Sequence, residues 1–238
     1  MTSETSEASD PIDPRAGAAL YSEAYAARYA ELYIAPWQRK HRLDAANLSR
    51  ILDELGPRPW WVDLACGQAW HFSAFPERAR QLGVDLSAAQ LARARQNAPR
   101  ASFLQADLCE LELPSRSIDL VTNFWAGYCY LGTSARIAGL VERAIGWLAD
   151  GGALYFEILV PRDLETFNQS RYASRTGFAV TPLGDDTCDW QYDDVAGRHI
   201  MHSPPLDMFL DLLAGKFRSV EATHDGGFMI HLIARDRC

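Results

Sequence analysis

Between Trp60 and Leu159 short apolar runs alternate with stretches of helical character, and this alternation leaves few folds open. The runs are Trp60–Leu64, Arg80–Val84, Ser102–Gln105, Ile118–Asn123 and Ala153–Leu159, with helices expected near Ser87–Asn97 and Ser134–Leu148. Strands separated by crossover helices pair in parallel, because each helix carries the chain back to the end of the sheet where the previous strand began. Leu120-Val121 and Leu154-Tyr155-Phe156 are almost continuously apolar, as strands covered on both faces are.

Near the C-terminus the pattern changes. Phe217–Glu221 and Phe228–Ala234 are strand-like runs joined by Thr223-His224-Asp225-Gly226-Gly227, a hairpin signal that makes the last strand antiparallel. The expected architecture is α/β: a Rossmann-like, doubly wound sheet of about seven strands with an antiparallel C-terminal strand and an N-terminal helical cover. Residues 1–14 are polar and acidic and close with two prolines, which reads as a flexible tail. A helix is expected from Arg15 to Tyr33, interrupted by Pro36, and a second from Gln38 to Leu55, ended by Gly56-Pro57. One domain then covers residues 15–238. It comprises a helical cover at 15–58, a core at 60–160, an insertion at 161–205, and a terminal helix and hairpin at 206–238. The insertion is rich in Pro, Gly and Asp and has no clear long helix, so it is read as a substrate cover or a small β element.

Formal net charge is −8, and the longest basic run is Arg39-Lys40-His41-Arg42. A nucleic-acid binder displaces counterions with a basic face, so the expected partner is a small-molecule substrate, with no nucleic acid. The five cysteines form no Cys-x-x-Cys pair and read as reduced, mostly buried thiols, with no metal. No apolar stretch approaches the ~20 residues of a bilayer span, and the polar N-terminus lacks a signal-peptide pattern. The expectation is a cytoplasmic protein, monomer or homodimer, with no membrane contact.

The chemistry lies in acids at the ends of successive strands, since ligands of open α/β sheets bind outside the carboxyl ends. Asp63 ends the first strand, ahead of the tight turn Ala65-Cys66-Gly67-Gln68-Ala69; Asp85 ends the second; Asp107 follows the third. Asp85 lies eighteen residues beyond Gly67, near the ~20 expected of an acid that accepts from ribose hydroxyls. Asp107 suits an exocyclic adenine amine, with Leu86 and Leu108 on either side of the ring. Asp63 suits a cationic ammonium, and the backbone N–H groups after Gly67 suit a carboxylate. A dinucleotide such as NAD needs three glycines for backbone to approach its pyrophosphate, but this turn offers Ala65, Gly67 and Ala69 and leaves Asp107 without a role.

Val62-Asp63-Leu64-Ala65-Cys66-Gly67, Gly83-Val84-Asp85-Leu86-Ser87, Gln105-Ala106-Asp107-Leu108, Ser117-Ile118-Asp119-Leu120-Val121 and Leu148-Ala149-Asp150-Gly151-Gly152-Ala153-Leu154 resemble, in order and spacing, motifs I, II, III, IV and post-IV of class I S-adenosylmethionine-dependent methyltransferases. The pattern departs from that family at Ala69 and at the bulky Trp70. The resemblance implies S-adenosyl-L-methionine as cofactor, bound by Asp63, Ala65, Cys66, Gly67, Asp85, Leu86, Asp107, Leu108, Asn123 and Phe124. Asn123-Phe124-Trp125 follows the fourth strand, where cofactor methyl and acceptor meet in that fold. The N-terminal helices cover the site, which brings Tyr25 and Tyr29, with Trp125, to the substrate. Asp119 is assigned to a turn before its strand and left out of the site.

Ala30-Glu31-Leu32-Tyr33, His71, and Glu157 followed by Pro161-Arg162-Asp163 resemble N,N-dimethyltransferases of nucleotide-linked amino sugars. Within this reading His71 and Tyr33 are the catalytic candidates, orienting or deprotonating an acceptor. Tyr25, Tyr29 and Tyr33 share one helical stripe, and Trp190, Tyr192 and Met201 are candidates for the substrate cover. The expected reaction is methyl transfer to a small-molecule nitrogen or oxygen in secondary or specialised metabolism. The alternatives are a cofactor-binding sensor of the same fold or a cyclase-like enzyme. No Asn-Pro-Pro-Tyr type of motif follows the fourth strand, which argues against DNA adenine methylation.

Overall fold

The computed structural model describes residues 14–159, 164–176, 178–183 and 188–238. The expected tail and Pro161-Arg162-Asp163 lie outside the described residues. The N-terminal region is α1 (Pro14–Leu20) and α2 (Glu23–Tyr29), then a wide turn at Ala30–Ile34, a tight turn at Ala35–Trp37, and α3 (Gln38–Leu55). The single helix expected over Arg15–Tyr33 is therefore broken at Tyr21-Ser22. Ser22 takes extended backbone angles and its Oγ accepts the Tyr25 N–H, which starts a new helix there.

The core then alternates as the sequence predicts: β1 (Trp60–Leu64), α4 (Trp70–Ala74), β2 (Arg80–Asp85), α5 (Ala88–Asn97), β3 (Ser102–Gln105), β4 (Ile118–Asn123), α6 (Ser134–Trp147) and β5 (Leu148–Leu159). β5 starts five residues earlier than the apolar run at Ala153. Its pairing with β4 shifts register between Ile118 and Leu120, and Gly151 (φ 77°) and Gly152 make the bulge possible. A Cβ on Gly152 would stand 2.9 Å from the Ala149 carbonyl oxygen.

The insertion forms two short helices, α7 (Leu164–Asn168) and α8 (Arg171–Thr176), and an antiparallel sheet of β6 (Ala179–Pro182), β7 (Asp189–Asp194) and β8 (Gly197–His202). The small β element expected as one reading of this insertion is the β6-β7-β8 sheet. After α9 (Leu206–Leu213), the hairpin of β9 (Phe217–His224) and β10 (Met229–Arg237) completes a seven-stranded sheet in the order β3-β2-β1-β4-β5-β10-β9. β10 runs antiparallel to β5, and β1 to β5 are mutually parallel. Its two faces are buried separately. Val62, Val121, Leu154 and Phe156 pack toward α6 and α9, while Trp61, Leu120 and Tyr155 pack toward α3 and Phe72. Asp119 Oδ2 accepts the Trp60 N–H at 2.6 Å, a structural role at the strand entrance. All five cysteines are free. Only Cys66 and Cys129 are buried, fewer than expected, because Cys109, Cys188 and Cys238 sit in loops or at the chain end.

Candidate functional site

The carboxyl ends of β1 and β2 open into a cavity of about 770 Å³. The turn after β1 is a run of left-handed residues, Ala65 (φ 53°), Gly67 (φ 51°) and Ala69 (φ 56°), two of them paying the Cβ penalty of that region. Asp85 holds the turn: its Oδ2 accepts the Gly67 N–H and its Oδ1 the Ser87 N–H, both at 2.8 Å. Burial raises the Asp85 pKa, and these N–H groups oppose the rise. Ser87 caps α5 by accepting from Gln90, so one short segment places the acid and starts the helix. A Cβ on Gly127 would stand 2.7 Å from the Ala65 Cβ, so glycine lets the loop after β4 close on the turn after β1.

Ala65, Gly67, Asp85, Leu86, Asp107, Leu108 and Phe124 line this cavity. Asp63, Cys66 and Asn123 do not. Asp63 is buried, accepts from Thr122 Oγ1 at 2.6 Å, and is pushed up to about 8 by burial against that hydrogen bond. Cys66 turns its sulfur toward Gly83, and Asn123 spans Leu64 O and Tyr128 N, so both shape the turn from behind. Helix α4 is only five residues long, which weakens the helix-terminus argument for a carboxylate there.

A second cavity, of about 690 Å³, adjoins the first and shares Tyr21, Tyr29, Trp125 and Tyr130 with it. The N-terminal helices supply Tyr33 and Trp37; the insertion supplies Phe167, Tyr172, Phe178, Trp190, Tyr192 and Met201; the hairpin supplies Phe228. Tyr21, Trp37, Tyr130 and Phe228 are absent from the candidates read from sequence. Tyr21 extends the Tyr25, Tyr29 and Tyr33 stripe by one turn and could have been read from it, whereas Trp37, Tyr130 and Phe228 offered only their aromatic character. The walls stack on one another: Trp37 on Phe167 (6.0 Å, 18°) and Phe178 on Tyr192 (4.7 Å, 23°). Most tyrosine hydroxyls here are taken up by protein. Tyr130 meets Tyr21 and Tyr192 at 2.9 Å, Tyr33 donates to Asp194 Oδ2 at 2.6 Å, and Tyr172 donates to the Leu32 carbonyl. Tyr29 makes no hydrogen bond among the described residues, and it stands on the seam between the cavities.

Three placements bear on the reading of His71 and Tyr33 as catalytic and of Tyr25 as substrate-binding. His71 lines neither cavity; it stacks on Phe124 at 3.7 Å, its Nε2 meets Asp44 Oδ2 at 3.1 Å, and burial lowers its pKa, so it is a neutral prop for Phe124. Tyr25 is buried away from both cavities and donates to Asp194 Oδ2 at 2.6 Å, beside Tyr33. Tyr33 does line the aromatic cavity, but burial and Asp194 hold its hydroxyl protonated, and it serves as a tie between the cover and β7.

Behind Trp125 lies a buried ionic cluster that the sequence did not disclose. Lys40 Nζ stands 2.8 Å from Asp44 Oδ2, 2.7 Å from Glu157 Oε1, and 4.2 Å from the centre of the Trp125 ring. His41 and His71 approach Asp44, and His231 approaches both Asp44 and Glu157, around the two acids that Lys40 pairs with. Residues from α3, α4, β5 and β10 meet here, which is why spacing along the chain gave no hint of it.

A twisted sheet of this order, with an acid-edged cavity over the carboxyl ends of its first strands, defines a Rossmann-like cofactor-binding protein. Residues 62–152 match the methyltransferase domain family. Two probable S-adenosylmethionine-dependent methyltransferases of Mycobacterium tuberculosis, from strains CDC 1551 / Oshkosh and ATCC 25618 / H37Rv, are each 33% identical over 208 residues, covering 84% of this chain and 67% of theirs. The chain belongs to the S-adenosylmethionine-dependent methyltransferases, and its cofactor is S-adenosyl-L-methionine. Solved structures agree on the fold. The DhpI–SAH complex superposes with a TM-score of 0.64 at 17% identity, covering 94% of this chain and 97% of that one. SAM-bound CalS10, an amino pentose methyltransferase of Micromonospora echinaspora, gives 0.59 at 19% identity, covering 85% and 96%. No helix among the described residues is long and apolar enough to cross a membrane.

Proposed function

We propose that this enzyme methylates a nitrogen or oxygen of a small-molecule acceptor of specialised metabolism, with the acceptor held in the aromatic cavity. The observation that carries the reading is the pair of adjoining cavities, one edged by Asp85 and Asp107, the other aromatic, meeting at Tyr29 and Trp125. The net charge of −8 favours such an acceptor over a nucleic acid. The structural likeness to CalS10, whose own acceptor is an amino pentose, supports a metabolite over a macromolecule.

When bound, S-adenosyl-L-methionine would supply an electrophilic methyl group to the acceptor's lone pair and leave as S-adenosylhomocysteine, the acceptor's proton going to solvent. In this reading Asp85 accepts from the ribose hydroxyls, and Asp107, Leu86 and Leu108 hold the adenine. Gly67 and Ala65 give the backbone close approach, with Asp63, Cys66 and Asn123 keeping the turn in shape behind it. Phe124 and Trp125 close the wall between nucleoside and acceptor and exclude water, and alignment of the reacting atoms is their main contribution to rate. The residues fit the cofactor on their own chemistry: a half-buried carboxylate that faces a cavity, as Asp85 does, favours hydroxyl donors. Calorimetry with S-adenosylhomocysteine, followed by transfer of labelled methyl across a panel of amine and phenol acceptors, tests the reading. Tight binding with product formation is expected; binding of NAD in its place would overturn it.

A further inference from the structure

The acceptor cavity has a chemistry of its own. Twelve of the seventeen residues that line it are aromatic, and the other five are aliphatic or methionine. None carries a charge, so among the described residues nothing in this wall would neutralise a phosphate or a sugar-linked diphosphate. A nucleotide-linked acceptor buries two or more negative charges, and burying charge without a partner is prohibitive. The adjoining outer hollow shares Tyr33, Tyr172 and Phe178 with the cavity and is edged by Asp193 and Asp194, which repel an anion on its way in. A bare quaternary ammonium is held by the few rings of an aromatic cage, far fewer than the twelve that line this cavity. Flat rings match the stacked pairs already built into the walls.

Among the described residues the one tyrosine hydroxyl left without a protein partner, that of Tyr29, stands at the seam with the cofactor cavity. From these observations we infer that the acceptor is an uncharged aromatic compound of two or more fused rings, bearing a hydroxyl or amine nucleophile at the end that meets Tyr29. The inference deepens the methyl-transfer reading and rests on it. A ring system of that size fills the apolar volume, and its single polar end is drawn to the place where the methyl group is delivered.

The test uses the full-length protein with saturating S-adenosylhomocysteine and follows the fluorescence of 1-aminoanthracene, an uncharged three-ring aryl amine. Binding with a micromolar Kd is expected, with displacement by 2-naphthol and none by a uridine diphosphate amino sugar or tetramethylammonium at a hundredfold higher concentration. Trp37→Ala and Phe228→Ala, at residues that line the aromatic cavity and not the cofactor cavity, are each expected to weaken the probe at least tenfold while leaving S-adenosylhomocysteine affinity within twofold. Comparing methylated products of 2-naphthol and 2-aminonaphthalene analogues separates hydroxyl from amine acceptors. Displacement by the diphosphate sugar or by tetramethylammonium overturns the inference, as does probe binding that neither folded variant weakens. If S-adenosylhomocysteine binds and 1-aminoanthracene does not, this inference alone falls; if S-adenosylhomocysteine fails to bind, the methyl-transfer reading falls and takes the inference with it.

Discussion

Glu157 accepts the backbone N–H of Trp125 at 2.5 Å, fastening the loop after β4 to the C-terminal end of β5. That loop needs fastening, because Trp125 (φ 56°) and Ala126 (φ 49°) are consecutive non-glycine residues in left-handed conformation, each costing on the order of 1–2 kcal/mol. Lys40 holds the carboxylate from its other side and lies over the indole. Lys40→Met would leave Asp44 buried without its cation, and breaking one partner of a buried pair costs about 3–5 kcal/mol. Urea unfolding is expected to show a loss in that range. A loss under ~1 kcal/mol would mean that the cluster does not support Trp125 as described.

Asp85 has two tasks, locking the Gly67 turn and facing the cofactor cavity. Hydrogen bonds to a charged group are worth about 1.5–3 kcal/mol each, so Asp85→Ala is expected to weaken S-adenosylhomocysteine by roughly a hundredfold. Asp85→Asn, which keeps one accepting oxygen, should lose less. Calorimetry on both variants decides the point, and equal affinity for wild type and Asp85→Ala would remove Asp85 from the site.

The strand-end acids and the sheet could be read from sequence because both depend on local pattern. Apolar runs report strands, and a ligand cavity follows wherever parallel strands end. β1, β3 and β4 therefore appear with the residues expected. The roles of Asp63 and His71 could not be read this way. Whether a strand-end acid faces a cavity or Thr122, and whether a helix histidine faces an acceptor or Phe124, depends on side-chain direction set by packing across the sheet. The aromatic cavity was hidden for a further reason: its walls come from residues 21, 37, 130, 178 and 228, which only the folded chain brings together.

Asp194 joins the insertion to the N-terminal helices. Its Oδ2 accepts from both Tyr25 and Tyr33, and its Oδ1 meets His199 Nε2 at 3.1 Å. Burial alone would raise its pKa, but the hydrogen bonds from His199 and the two tyrosines prevail and hold it at about 2. A carboxylate with a depressed pKa contributes stability above its unfolded value, near 3.9, and loses it as pH falls toward 2. Asp194→Asn is expected to cost about 1–3 kcal/mol at neutral pH and to speed proteolysis of the insertion ahead of the core. Simultaneous cleavage of insertion and core at the wild-type rate would argue that this tie does not hold the cover.

Asp63 gives the opposite pH signature. Burial pushes its carboxyl up to about 8, while the Thr122 hydroxyl at 2.6 Å favours the ionised form and only partly offsets the rise. An unfolded aspartate titrates near 3.9, so between the two values the folded chain holds a proton that the unfolded chain has released. The resulting stability is complete below about pH 3.9 and disappears as pH rises through 8. Between pH 7 and 9 this single group removes roughly 1–2 kcal/mol. Asparagine keeps the neutral shape and the oxygen that Thr122 donates to, with nothing to titrate. Glu157, pushed up to about 8 by burial and by Asp44 against Lys40, titrates in the same window, so the wild type alone cannot separate the two. The measurement is therefore a difference: urea unfolding of wild type and Asp63→Asn at pH 7 and pH 9, where the variant should lose roughly 1–2 kcal/mol less than wild type. Equal losses in both proteins would show that Asp63 is already ionised at neutral pH, and would return it to the cofactor's ammonium as a charged partner.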